Sequence, residues 1–253
     1  MIARDELLKY LNTVMEPAKI KDYCPNGLQV QGRDQIGKIV SGVTASKALI
    51  EEAIARKADA ILVHHGWFWK SDDPVVVGQF HARLKLLMTH DINLLAYHLP
   101  LDIHPTLGNN AQLAKAMSWR VRGQATFPGL QDGLLWYGEP ESSTTLEQLG
   151  RSISARLGRD PQVVGDLSRP IRSIAWCTGA AQNYINEALL LKVDAYISGE
   201  ISEQTFHVCQ EMGIAYIAAG HHATERYGVS ALGDHLQTSL GLEHQFVDLF
   251  NPV

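Results

Sequence analysis

Slid forward by 135 positions, residues 36–60 fall on 171–195 with nine identities in 25 positions, among them Ile39/Ile174, Lys57/Lys192, Asp59/Asp194 and Ala60/Ala195. Chance would supply on the order of two in a chain of ordinary composition. Each segment starts with a short apolar run, KIVSGVT in one and IRSIAWCT in the other. Apolar residues at helical spacing follow, such as Leu49, Ile50, Ala53 and Ile54. A strand that leads into a helix and then a buried strand is the βαβ unit, which needs a sheet covered on both faces. The repeat therefore predicts an α/β protein of two related modules, 1–122 and 123–253, with mainly parallel strands flanked by helices. The last helix and tail are free in this reading to pack back on the first module.

The alternation continues along the chain. Ala60–Val63 and Ile92–Tyr97 read as buried strands, and Arg4–Val14, Phe80–Thr89 and Asn109–Met117 as helices. Residues 123–170 are richer in Gly, Pro and polar groups, with a strand at Leu134–Tyr137 and a helix at Thr145–Leu157 capped from Ser142–Thr144. Strands at Ala195–Ile197 and Ala215–Ala219 and a long final helix follow. A second match, at an offset of 123, lays the strand ending at His98 on the strand ending at His221, and Asp102 on Glu225.

Eleven histidines in 253 residues is roughly twice ordinary usage, and six of them stand at apolar strand ends: His64, His65, His98, His104, His221 and His222. Functional groups of open α/β sheets collect at the carboxyl ends of strands. His221 and Glu225 are one helical turn apart on a common face, a spacing that lets an imidazole and a carboxylate share an ion. His222 points elsewhere on that helix, as an outer group or a surface residue. His64 and His65 close a strand, where a twist can bring both rings to one cleft. Pro100 opposes an ordinary helix, so Asp102 is expected on a loop. These N and O donors suit Zn²⁺, Fe²⁺ or Mn²⁺ and suffice for two ions. By the 135 offset Glu200 takes the place of His65; Glu200 and His98 are the candidates to move a proton, and Glu225 to bridge ions. Trp67, Phe68 and Trp69 stack a base or line a pocket for a ring-shaped substrate, or serve packing or a subunit interface. Asn26 and Gln29 contact a substrate or shape a turn.

Several classes are disfavoured. A net charge of −5 argues against a general nucleic-acid binder. No segment has the roughly 18 apolar residues of a membrane span, and the first twenty residues lack a signal-peptide apolar core. Cys24, Cys177 and Cys209 are scattered, which gives no disulfide framework, and the expected compartment is the cytoplasm. Phosphate-loop, dinucleotide and nucleophile-elbow motifs are absent. The cations Lys70, Arg83, Lys85 and Arg226 form no cluster for a triphosphate.

PNGLQV (25–30), GVTAS (42–46), ADAILVHHGWFWK (58–70), YHLPLDIHPTLGNNAQLA (97–114), SGEISEQTFH (198–207) and AAGHHATERYG (218–228) together resemble the NIF-three-like family, named as GTP cyclohydrolase I type 2 homologues, over nearly the whole chain. The resemblance implies a dinuclear metal centre held by His64, His65, Asp102, His221 and Glu225. It also implies a ring-shaped homohexamer, and hydrolysis of a nucleotide or related small cyclic compound by a metal-activated water. A hydrolase of damaged nucleotides, and a non-catalytic metal-binding or partner-binding ring, are the alternatives.

Overall fold

A computed structural model describes all 253 residues, Met1–Val253. The first helix, α1 (Arg4–Met15), is followed by strand β1 (Gly27–Val30) and then by the run β2 (Lys38–Thr44), α2 (Lys47–Ala55), β3 (Ala60–His65), α3 (Gly78–His90), β4 (Asn93–Ala96) and the short α4 (Leu99–Ile103). Next come α5 (Asn109–Ala116), the hairpin strands β5 (Arg120–Gln124) and β6 (Trp136–Glu139), α6 (Leu146–Leu157) and β7 (Gln162–Val164). The βαβ pattern resumes with β8 (Ile174–Trp176), α7 (Ile185–Leu190), β9 (Ala195–Ser198), α8 (Glu203–Met212) and β10 (Ala215–Ala218). The long α9 (His221–Leu240) and β11 (Glu243–Phe246) complete it. No helix is long and apolar enough to cross a membrane.

Two compact units divide the chain: Met1–Gly108 with Gly228–Phe250, and Asn109–Tyr227 with Asn251–Val253. The cut thus lies before α5 rather than at 122/123. The physical reason is α5 itself, whose Leu113 and Ala114 are buried in the same core as Trp136, Leu146 and Trp176.

In the first unit the sheet order is β11-β2-β3-β4-β1. The first three pairings are parallel, and β1 closes the edge antiparallel to β4. Alternation along the strands sorts side chains to two faces. Ile39, Leu62 and Leu95 pack with Leu7 and Leu11 of α1 and Leu232 and Leu236 of α9. Val40, Ile61, Val63 and Leu94 pack with Leu49 and Ile50 of α2 and Leu87 of α3. Such near-continuous apolar strands are what a sheet covered on both faces requires.

In the second unit the order is β7-β10-β9-β8-β6-β5. Only β8, β9 and β10 run parallel, with β7, β6 and β5 antiparallel to their neighbours. The sheets are therefore mixed, and the expectation of mainly parallel strands is too broad for this half. The polar stretch 123–170 explains it: a hairpin lies at its start, and α6 is capped by Thr145 in a capping box with Gln148, not from Ser142–Thr144.

The two parallel cores match residue for residue under the 135 offset. Ile39 pairs with Ala60, and Ile174 pairs with Ala195. Asp59 Oδ2 accepts from the amides of Gly37 and Lys38 at 2.8 and 3.0 Å, and Asp194 Oδ2 from those of Arg172 and Ser173 at 2.8 and 2.9 Å. Lys57 and Lys192 each take the left-handed conformation after their helix, with φ of 56° in both.

Candidate metal centre

In the first unit, β3 ends in His64 and His65. Neighbours in a strand face opposite ways, yet at this strand end the two ring centroids come within 4.5 Å. Gly66 permits the turn that follows, because a Cβ there would run into Gln29 and Ala96. His98 follows β4, and its ring lies 5.0 Å from that of His64 and 5.8 Å from that of His65. One donor atom from each of these three histidines falls within a 4.8 Å cluster that could hold a metal ion.

Each ring is oriented through Nδ1. His64 Nδ1 donates to the Tyr97 carbonyl at 3.1 Å, and His98 Nδ1 to Asp22 Oδ1 at 3.0 Å. His65 Nδ1 lies 3.3 Å from Thr44 Oγ1. Metal-ligating histidines are commonly fixed this way, with the second nitrogen tied by an acceptor so that Nε2 carries the lone pair. His64 is completely buried, and its Nε2 faces Asp102 Oδ1 at 3.5 Å. A lone pair and a carboxylate oxygen repel unless a proton or a cation lies between them, so the donor set fits a divalent ion.

Asp102 is not on a loop. It lies in α4, where Pro100 occupies the first turn. Proline is tolerated there because that amide has no intrahelical partner to lose. The helix lifts Asp102 to the level of His64.

In the second unit, α9 begins with His221 and carries Glu225 one turn later. His221 Nδ1 donates to Glu200 Oε1 at 2.7 Å, and its Nε2 faces Glu225 Oε2 at 3.2 Å. Burial alone would lower the His221 pKa, but hydrogen bonds and charge from Glu225 and Glu200 raise it to about 9. Glu225 lies against Gly179, where φ is 69° and a Cβ would collide with its carboxylate. This arrangement repeats the motif of the first unit: an acceptor on Nδ1 and a carboxylate before Nε2. Glu200 is the acceptor here, so it sits behind the His221 ring.

Asp22 is the residue that sequence reasoning missed. Its carboxylate accepts from His98 Nδ1, from Asn26 Nδ2 at 2.9 Å and from the Leu99 amide at 2.9 Å. Burial opposes its charge, yet these bonds hold its pKa well below the ordinary carboxylate range. Asn26 also accepts from the His98 amide at 2.7 Å, and Gln29 bridges the backbone of Pro25 and Trp67. Both side chains therefore shape the floor under the histidines. Cys24 has its thiol pushed up to about 12, by burial first and then by the charge of Asp22. Trp67 is only 5% exposed and belongs to its unit's core, with Nε1 donating to the Ala45 carbonyl at 3.0 Å. His222 is buried too, not a surface residue.

A Ser-His-Asp chain occurs elsewhere in the first unit. Ser41 Oγ lies 2.7 Å from His244 Nε2, and His244 Nδ1 lies 2.9 Å from Asp234 Oδ1. Ser41 is fully buried within β2. A nucleophile must be reachable by its substrate, so the chain is a structural tie.

The family model for Duf34/NIF3 (NGG1p interacting factor 3) matches residues 2–252. A Pseudomonas aeruginosa protein named GTP cyclohydrolase 1 type 2 homolog is 51% identical over 251 residues, covering 99% of each chain. An Escherichia coli K12 protein of the same name is 47% identical over 98% of each. Among solved structures, protein ybgI superimposes with a TM-score of 0.95 at 46% identity, covering 100% of both chains. TTHA1606 from Thermus thermophilus does so with 0.85 at 32% identity, again over 100% of both.

Proposed function

The chain belongs to the Duf34/NIF3 family, and from that premise we propose that it is a dinuclear metal-dependent hydrolase of a nucleotide or related small cyclic compound. Its ligands are His64, His65, Asp102, His221 and Glu225. The observation that carries this reading is the repeated arrangement at His64 and His221. In both, Nδ1 donates to a fixed acceptor while Nε2 faces a carboxylate at 3.5 or 3.2 Å. The two families of matched contacts under the 135 offset support an internal duplication, with the ligands at the carboxyl ends of the strands.

Bound divalent ions supply Lewis acidity and water activation near neutral pH. The chain supplies the rest. Tyr97 and Glu200 hold the ligand rings in the tautomer that presents Nε2. His98, poised by Asp22 and Asn26, is the group that exchanges a proton with a substrate atom. Zn²⁺, Fe²⁺ and Mn²⁺ all suit the N and O donors.

Metal analysis with a turnover screen tests the reading. His64→Ala and Asp102→Ala should each lose at least one metal equivalent while staying folded, and the wild type should hydrolyse at least one nucleotide or cyclic amide only when metal-loaded. Full occupancy in both variants rejects the ligand set. Full loading of the wild type without any turnover favours a non-catalytic metal protein. The assembly proposed with this function is a homohexamer, which light scattering should report as six times 27.9 kDa.

A further inference from the structure

A cavity of about 650 Å³ opens in the first unit beside His65, a size within the roughly 300–1,000 Å³ of small-molecule sites. Aromatic side chains form its walls. The rings of Phe68 and Phe80 meet edge to face at 5.5 Å, and that of Trp69 stands 6.0 Å from His65. Phe68 is 43% exposed and holds a φ of 64°. A bulky residue in the left-handed region is costly. Here that conformation turns an aromatic ring to the cavity mouth instead of into the core.

The cavity holds one cation. Arg83 of α3 lines it, and its Nε is buried without a hydrogen-bond partner. With Nε out of a ligand's reach, the charge of the terminal guanidinium is what an anion in the cavity would meet. Two acids, Asp72 and Asp73, line the cavity from the segment after β3. Asp72 accepts from the Trp69 amide and Asp73 from the Val75 amide, each at 3.0 Å. Their carboxylates pin the loop and leave negative charge at the rim, which repels a polyanion.

We propose that this cavity binds a planar heterocycle carrying one compact anionic group, with the ring against Phe68, Phe80 and Trp69 and the anion on Arg83. A nucleoside monophosphate is the type ligand, and a triphosphate is disfavoured. The inference rests on the hydrolase reading for the ligand's role as substrate, since His65 borders the cavity, though not for the binding itself.

Titration calorimetry on the metal-free protein with guanosine, guanosine 5′-monophosphate and GTP tests it. The monophosphate should bind roughly tenfold more tightly than guanosine, and GTP no more tightly than the monophosphate. Arg83→Gln removes a donor that has no partner to lose, so the fold should persist and the monophosphate advantage should vanish. Phe68→Ala, at an exposed position, should weaken guanosine and monophosphate alike. Absence of saturable binding, an advantage that survives Arg83→Gln, or tighter binding of GTP than of the monophosphate overturns the proposal. His64→Ala separates the two readings. Monophosphate binding that persists in a variant stripped of metal supports the cavity independently, and a metal-loaded wild type that ignores the monophosphate defeats the cavity while sparing the metal centre.

Discussion

Glu200 accepts the Nδ1 proton of His221 at 2.7 Å, so the carboxylate acts on the imidazole from behind. Removing such an outer partner typically costs ten- to a hundredfold in metal affinity. Glu200→Ala should fall in roughly that range. Glu200→Gln, which keeps an acceptor but not the charge, should lose less. Competition with a chelating dye reads both constants, and equal affinities in Glu200→Ala and wild type would remove Glu200 from the centre.

His221 gives the metal-free protein a specific pH dependence. Its folded pKa of about 9 lies above its ordinary value of 6.5. A raised basic pKa stabilises the fold fully below the ordinary value and loses that contribution as pH rises through the folded one. Urea unfolding of the metal-free protein should therefore show stability falling between about pH 6.5 and 9, and Glu225→Gln should flatten the slope. Metal uptake at pH 7 should release a proton, which calorimetry in buffers of different ionisation enthalpy detects.

Asp22→Asn should destabilise the fold by about 1–3 kcal/mol, because the Leu99 amide and the His98 ring lose a charged acceptor. The depressed acid pKa gives the sign. The contribution of Asp22 is complete above the ordinary carboxylate value and is lost as pH falls toward the folded one. Acid unfolding should thus shift to higher pH in the variant, and an unchanged midpoint would deny the carboxylate this role.

Lys57 and Lys192 carry the same left-handed strain at matched positions. Glycine adopts that conformation freely, so Lys57→Gly and Lys192→Gly should each stabilise by about 0.5–1 kcal/mol, with additive effects in the double variant. Thermal unfolding measures all three.

Much of this was legible from residues alone. The strands declared themselves because β2, β3, β4, β8, β9 and β10 are covered on both faces and read as apolar runs. The histidines of the candidate centre stand out at their ends. Four things are hidden. The helix α4 is hidden because Pro100 opposes a helix interior but is tolerated in a first turn, and the sequence does not show which position it takes. β5 is largely exposed and carries no apolar pattern. Asp22 meets His98 across 76 positions, and the Tyr97 acceptor is a backbone carbonyl, so neither partner leaves a local signal in the sequence.

The tie of the buried Ser41 to His244, and of His244 to Asp234 at the surface, has a consequence for how the end of the chain finds its place. β11 lies parallel to β2 with His244 opposite Ile39 and Phe246 opposite Ser41. Apolar contacts alone would tolerate a slide of two residues, since that keeps every side chain on its own face. A slide would strand a hydroxyl and an imidazole in a dry sheet without each other, at a cost that outweighs one more or one fewer apolar contact. The polar triplet thus works as a ratchet tooth: it lets the tail dock in a single notch.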